Sequence, residues 1–146
     1  MSEAFRAPTP PERLFNRVFG VLVGLGLGPR DYHLLQTRGR TTGRLRSTPV
    51  NVVEVDGRRY LVAPRGRTQW VRNVEAGSTV VLKAGGRRAT YRVRPLADAE
   101  RPVVLRAYLE RFGSFVQRYF PVPAGSPSSA FVTIAGRYPV FELRPE

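Results

Sequence analysis

The spacing of apolar residues changes near residue 32. Before that point, apolar side chains recur on one helical face after Thr9-Pro10-Pro11-Glu12: Leu14, Val18, Val21, Leu22 and Leu25. Threonine, a first-turn proline and a glutamate three residues on are typical of a helix start. We therefore predict a helix from about Pro10 to the glycines at 26 and 28, within an N-terminal arm of residues 1–28.

After residue 32, short runs rich in β-branched and aromatic residues alternate with turn residues, which predicts strands. The predicted strands are Tyr32–Arg38, Leu45–Val55, Arg58–Ala63, Thr79–Ala84, Arg88–Arg94 and Pro139–Leu143. Asp56-Gly57 is a preferred dipeptide of a type I′ turn, so the second and third strands should form an antiparallel hairpin. Gly85-Gly86 joins the next pair in the same way.

Two helices are predicted between these strands. Thr68 is a candidate N-cap for a short helix that Gly77 ends. Asp98 is a candidate N-cap for a longer helix that ends at Gly113 and has an apolar face of Val103, Val104, Ala107 and Tyr108. A proline- and serine-rich loop follows at Pro121–Ser129. The pattern predicts one domain, 1–146, mainly β with flanking helices (α+β).

Charge adds a constraint on partners. The chain has 24 Lys and Arg residues against 11 Asp and Glu residues, a formal net charge of +13, and Lys83 is its only lysine. Arginine presents a planar fork suited to phosphate and carboxylate groups. Codon usage in a GC-rich genome explains most of the total, but the clustered arginines favour an anionic partner.

Several classes of site are excluded by composition. Cysteine is absent, which excludes disulfides, thiolate nucleophiles and Cys-based zinc sites. His33 is the only histidine, which excludes a multi-histidine metal site. We predict no metal, and an enzyme with these residues depends on a cofactor. Val18–Leu27 is too short to span a membrane, and no signal-peptide cleavage site follows it. A cytoplasmic protein is expected; peripheral contact of the N-terminal helix with the inner membrane face is the less favoured interpretation.

The most informative segment runs from Gly39 to Pro49 and combines glycines, hydroxyls and three arginines: Gly-Arg-Thr-Thr-Gly-Arg-Leu-Arg-Ser-Thr-Pro. Backbone N–H groups and guanidinium forks together suit a phosphodiester or carboxylate ligand. An ordinary basic hairpin turn explains the local pattern equally well.

This segment resembles the strand–turn–strand signature of the deazaflavin-dependent nitroreductase and quinone reductase family. Ala63-Pro64-Arg65-Gly66 resembles the family's second motif, and Trp70-Val71-Arg72-Asn73-Val74 its Trp-x-x-Asn-Leu helix. The resemblance implies a split β-barrel of the flavin-reductase and pyridoxamine-oxidase type. It also implies the coenzyme F420, whose lactyl-phosphate and oligoglutamate tail is anionic.

The resemblance further implies roles for particular residues. Arg40, Arg44 and Arg46, in the turn that contains Thr42 and Gly43, would meet the phosphate and glutamates. The other implied coenzyme contacts are Thr48 and Pro49 beside the ring system, Arg65 and Gly66 on the phosphate side, and Trp70 as a pocket wall, with Asn73 fixing the short helix. Two segments depart from the family pattern. Pro64-Arg65-Gly66-Arg67 keeps a cation and one glycine of the usual Ser-Lys-Gly-Gly but loses a flexible backbone position, and Val71 stands where relatives often have an aromatic residue, so the pocket wall is expected to differ.

The implied reaction is hydride transfer from reduced F420 to a small hydrophobic acceptor: a quinone, an enone or a nitroaromatic compound. Tyr119 is a candidate proton donor, with Phe112 and Phe115 in the same stretch, although all three also fit the apolar side of a helix. Alternatives are a non-catalytic F420-binding protein, a flavin mononucleotide or haem barrel with His33 as ligand, and a nucleic-acid-binding protein. The last would use Arg87, Arg88, Arg92 and Arg94, but no nucleic-acid module is present.

Overall fold

Six antiparallel strands close into a barrel in residues 32–146, the part of the chain that the computed structural model describes. The strands are β1 (Tyr32–Arg38), β2 (Leu45–Val55), β3 (Arg58–Val62), β4 (Thr79–Ala84), β5 (Arg87–Pro95) and β6 (Val140–Pro145). Their order around the barrel is β1-β2-β3-β6-β5-β4. The predicted barrel with flanking helices is confirmed, whereas the N-terminal arm and its helix lie outside the described residues.

Both predicted two-residue hairpins are present. Val55 pairs with Arg58 across the first turn, where Asp56 and Gly57 have φ values of 51° and 76°. Ala84 pairs with Arg87 across the second, where Gly85 and Gly86 have φ values of 60° and 79°. A type I′ turn requires positive φ at both central positions, and its twist matches that of the flanking strands.

Alternate residues of the strands point into the barrel and form its core, which includes Leu35, Val50, Val52, Leu61, Val80, Leu82, Phe141 and Leu143. A short helix, α1 (Gln69–Gly77), adds Val71 and Val74 to this interior. Both valines are at most 1% exposed. Burial of α1 against the barrel core, more than intrinsic propensity, holds this short helix in place.

A longer helix, α2 (Arg101–Val116), packs on the outside of the barrel. Its buried side chains, together with Phe120, Phe131 and Tyr138, form an outer cluster against Val53, Tyr60 and Val62. Phe120 and Tyr138 stack with ring centroids 4.4 Å apart. The molecule therefore has one apolar core inside the barrel and a second between the barrel and α2.

Some predicted details of the strands and of α1 are wrong. β3 ends at Val62: the Ala63 N–H still donates to the Pro139 carbonyl at 2.9 Å in the same register, but Pro139 has no N–H to return the bond. The last strand runs over Val140–Pro145 instead of Pro139–Leu143, and β5 is one residue longer at each end than predicted. Thr68 occupies the N-cap position of α1, but its hydroxyl makes no capping hydrogen bond.

The prediction of the longer helix needs larger corrections. Asp98 begins a 3-10 turn before α2, and Glu100 accepts the Ala97 N–H at 2.9 Å, so Asp98 is not the N-cap. Val103 is 56% exposed and does not belong to the apolar face. Gly113 does not end the helix: the backbone kinks at Phe112 and continues to Val116, because both side chains are anchored in the outer cluster.

Candidate functional site

The arginine-rich loop between β1 and β2 is closed by its own backbone. The Gly39 N–H donates to the Arg44 carbonyl at 2.7 Å, and the Gly43 N–H donates to the Gly39 carbonyl at 2.8 Å. Gly43 has φ of 71°, a conformation that glycine adopts without strain. A Cβ on Gly39 would lie 2.9 Å from the Thr42 hydroxyl, which accepts the Arg44 N–H. The sequence therefore fixes a tight loop that keeps its arginines on the surface.

The arginines of this loop and of the strand ends beside it are not neutralised by carboxylates. Within residues 32–146, Arg38, Arg40, Arg44 and Arg46 form no ion pair. All four residues are exposed, and like charges so close together repel one another. The loop is consequently a concentrated positive surface suited to an anion with several charges.

Helix α1 holds this loop through amide side chains. Asn73 is 6% exposed. Its Oδ1 accepts two hydrogen bonds from Arg40, one from the backbone N–H at 3.2 Å and one from Nη1 of the side chain at 3.1 Å. Gln69 Oε1 accepts Arg40 Nη1 at 2.7 Å. Sequence reasoning missed Gln69, although its position one helical turn before Asn73 places both amides on one face. The structure thus brings Arg40 and Asn73 together.

The turn between β3 and α1 is the second part of the site. Gly66 is buried with φ of 82°, and its carbonyl accepts the Thr68 N–H at 2.9 Å. The Thr68 hydroxyl oxygen is buried and has no hydrogen-bond partner in the described part of the chain. Because no side chain caps α1, its first N–H groups and the positive end of its dipole remain available to an anion next to Arg65.

Trp70 lies between the site and the barrel interior. Its ring centroid is 6.1 Å from that of Phe141, with the planes tilted by 59°, and the residue is half-buried. Thr48 and Pro49 are half-buried on β2, where they pair with Leu35 and Leu34 of β1. Thr48 lies on the same inward face of β2 as Val50, whereas Pro49 lies on the opposite face, so the strand that leaves the arginine loop is neutral on both faces here.

Tyr119 belongs to a different part of the molecule. It packs against the outer cluster, and its hydroxyl accepts Arg118 Nη2 at 2.7 Å. Its carbonyl accepts the Tyr138 hydroxyl at 2.6 Å. Phe112 is buried in the same cluster, whereas Phe115 is 61% exposed. None of these contacts joins Tyr119 to the arginine loop, which α1 anchors.

Three further arginines, Arg58 on β3, Arg94 on β5 and Arg144 on β6, share the carboxylate of Glu142. Glu142 is 5% exposed and lies 3.0 Å from Arg94, 3.3 Å from Arg144 and 4.0 Å from Arg58. Burial alone raises the pKa of the Glu142 carboxyl, but hydrogen bonds and charges from Arg94 and Arg144 bring it below its ordinary value. Hydrogen bonds from Arg94 and the Ala97 N–H likewise lower the pKa of Glu100.

His33 contacts Arg59, whose Nη2 lies 3.3 Å from His33 Nε2. Haem ligation through that nitrogen would require this contact to break. Among the described residues, no cluster of at least three His, Cys, Asp or Glu side chains is arranged for a metal ion. No helix within residues 32–146 is long and apolar enough to cross a membrane.

The sequence matches the family of F420H(2)-dependent quinone reductases over residues 12–119. The chain belongs to this family. Family membership supports F420H2-dependent oxidoreduction as the chemistry of this chain. It also supports F420 as the coenzyme of this chain. None of the curated protein sequences matches the chain significantly.

Solved structures support the fold of this family member. An F420-H2 dependent reductase (FDR-A) is 23% identical, with 79% of this chain and 95% of that chain covered and a TM-score of 0.54. A protein described as a domain-swapped dimer is 22% identical, with 92% and 93% covered and a TM-score of 0.58. An FAD-binding protein from Mesorhizobium loti is 12% identical, with 80% of each chain covered and a TM-score of 0.53. At these identities the likenesses establish the barrel fold.

Proposed function

We propose that this family member transfers a hydride from reduced F420 to a quinone, with enones and nitroaromatic compounds as further acceptors. The observation that carries the proposal is the group of arginines in and beside the β1–β2 loop, Arg38, Arg40, Arg44 and Arg46, which has no carboxylate partner within residues 32–146. An unneutralised basic loop of this kind suits the phosphate and glutamates of the coenzyme tail.

The donor set fits such a tail. Guanidinium groups of the loop provide charge, while buried Gly66 provides a backbone without a side chain next to the uncapped start of α1. A helix N-terminus favours phosphate through its free N–H groups and its dipole. We assign the tail to Arg40, Arg44, Arg46, Arg65 and Gly66, with Thr42 and Gly43 shaping the loop.

The ring system is assigned to the neutral residues beyond the arginines. Thr48 and Pro49 are half-buried on β2, and half-buried Trp70 borders the barrel core. The strand at Thr48 and Pro49 would pass beside the ring, and Trp70 would exclude water from one side of it. The bound coenzyme would supply a hydride. A quinone that gains this hydride and one proton becomes a quinol.

The protein itself contributes orientation and exclusion of water more than acid–base chemistry. Tyr119 is the residue that we retain as a candidate proton donor, although its hydroxyl is held by Arg118 in the structure. Solvent is the alternative proton source. Either source supports catalysis by a chain that has so few acid–base groups.

The proposal is tested by titrating the full chain with oxidised and reduced F420, with flavin mononucleotide as a parallel control. We expect F420 to bind with a micromolar or lower Kd and flavin mononucleotide to bind far more weakly. Arg46→Ala should weaken F420 binding, whereas Arg87→Ala, which removes the same charge from the exposed β4–β5 hairpin, should not. Failure of F420 to bind, or equal effects of the two variants, would contradict the assignment.

Turnover separates an enzyme from a binding protein. With reduced F420 bound, addition of the quinone menadione should restore the absorbance of the oxidised coenzyme over repeated cycles. Tight binding without oxidation would identify the non-catalytic alternative. Binding of flavin mononucleotide in preference to F420 would instead give this chain the ligand class of its FAD-binding structural neighbour.

A further inference from the structure

Arg40 is held on one side only. Its Nη1 donates to Gln69 Oε1 at 2.7 Å and to Asn73 Oδ1 at 3.1 Å. Its Nε and Nη2 make no hydrogen bond to any group in residues 32–146. The guanidinium is therefore fixed at one nitrogen and keeps its other donors for a ligand.

The orientation of the Asn73 amide is determined by its neighbours. Asn73 Nδ2 donates to Thr37 Oγ1 at 3.4 Å, and both residues are buried, at 6% and 5% exposure. A flipped amide would turn Nδ2 toward Arg40, whose backbone N–H and Nη1 are both donors. Oδ1 consequently faces Arg40, and β1, α1 and the arginine loop are linked through one buried side chain.

The chemical type of these partners is also informative. On the same helix, Glu75 pairs with Arg67 at 2.8 Å, so α1 neutralises one arginine with a carboxylate. Arg40 is bound by two amides, which accept hydrogen bonds but carry no charge. An amide partner orients a guanidinium without cancelling its positive charge.

We propose that Gln69 and Asn73 are positioning residues that present the free edge of the charged Arg40 guanidinium to the anionic tail of the coenzyme. The inference rests on the proposed function and adds a specificity role. The pair of amides sets the preference for F420 over the same deazaflavin with a ribityl chain but no phosphate or glutamates. Such a role changes the ratio of the two dissociation constants, whereas a merely structural role changes both constants together.

The test uses Gln69→Glu in the full chain, because Gln69 is exposed and the substitution keeps the shape of the side chain. A carboxylate at this position would pair with Arg40 and cancel its charge. We expect the Kd for F420 to rise roughly tenfold, the effect of losing one charge-assisted contact, and the Kd for the tail-less deazaflavin to stay unchanged. Gln69→Ala should raise the Kd for F420 by a smaller factor, since Asn73 still holds Nη1.

Ser129→Glu is the control, because it adds one negative charge at an exposed position beyond α2. It should change neither dissociation constant. An unchanged F420 affinity in Gln69→Glu, an equal loss for both deazaflavins, or an equal loss in Ser129→Glu would overturn the inference. If the parent chain binds the tail-less deazaflavin as tightly as F420, the arginine loop does not recognise the tail, and both the tail assignment and the role of the amides are wrong, whereas hydride transfer is tested separately by turnover.

Discussion

The ring of Trp70 packs against that of Phe141 at the edge of the barrel core, with centroids 6.1 Å apart and planes tilted by 59°. Trp70 is the only tryptophan of the chain and is half-buried. Its fluorescence is therefore a single reporter placed between the interior and the proposed ring site.

We predict that F420 quenches Trp70 fluorescence and that the quenching saturates with the same Kd as the coenzyme's own absorbance change. Trp70→Phe should abolish the signal and retain most of the affinity, because phenylalanine can still pack on Phe141. Trp70→Ala should lower the free energy of unfolding by about 2–3 kcal/mol, less than for a fully buried ring. If the coenzyme binds without quenching and Trp70→Ala leaves the Kd unchanged, the ring system lies elsewhere.

Gly66 provides a second prediction. Its φ of 82° disfavours any other residue, so Gly66→Ala should destabilise the chain by about 1–2 kcal/mol and weaken F420 binding. The matched control is Gly57→Ala, because Gly57 has φ of 76° and a Cβ there meets nothing within 4 Å. Since Gly66 is buried and Gly57 is exposed, Gly66→Ala should lose at least as much stability in urea titrations as Gly57→Ala. A loss of F420 affinity shared equally by the two would remove Gly66 from the site.

Tyr119 is tested by Tyr119→Phe, which removes the hydroxyl and keeps the ring in the outer cluster. If Tyr119 is the proton donor, this substitution should lower kcat for menadione reduction by about 10²–10⁴-fold, the usual contribution of general acid catalysis. The Kd for F420 should change little. Since Arg118 binds this hydroxyl, Arg118→Gln should be assayed beside it. Unchanged kcat in Tyr119→Phe would indicate that the proton comes from solvent.

The barrel was predictable because its signals are local. Alternating runs and dipeptides such as Asp56-Gly57 specify strands and tight turns within a few residues of sequence. The helix boundaries were harder, since they depend on distant contacts. Gly113 is a usual helix stop, yet α2 continues because Phe112 and Val116 are both buried against the rest of the outer cluster.

The candidate site was only partly predictable for the same reason. The arginines of the β1–β2 loop stand out in sequence, but their lack of carboxylate partners is a property of the folded chain. Gln69 carries no motif of its own and gains its role from contact with Arg40, 29 residues away. Tyr119 fitted both a proton donor and the apolar side of a helix in sequence, and the structure packs it against the outer cluster.

Glu142 provides a prediction about stability that is independent of the coenzyme. Its carboxylate is 5% exposed and lies within 4.0 Å of Arg58, Arg94 and Arg144. Glu142→Gln should lower the free energy of unfolding at pH 7 by about 1–3 kcal/mol, because it leaves these cations without their shared partner while solvent still screens them. Glu110→Gln, in the exposed pair with Arg106, should cost about 0.5 kcal/mol or less.

The same carboxylate has a defined pH dependence. The pKa of Glu142 in the folded chain lies below its ordinary value of 4.5, so the unfolded chain takes up its proton first as the pH falls. Its contribution to stability is complete above the unfolded pKa and is lost as the pH falls from about 4.5 through the lower folded pKa. Urea titrations between pH 7 and pH 3 should therefore show a steeper acid loss for the parent chain than for Glu142→Gln. Parallel losses would mean that the arginines around Glu142 do not stabilise its charged form.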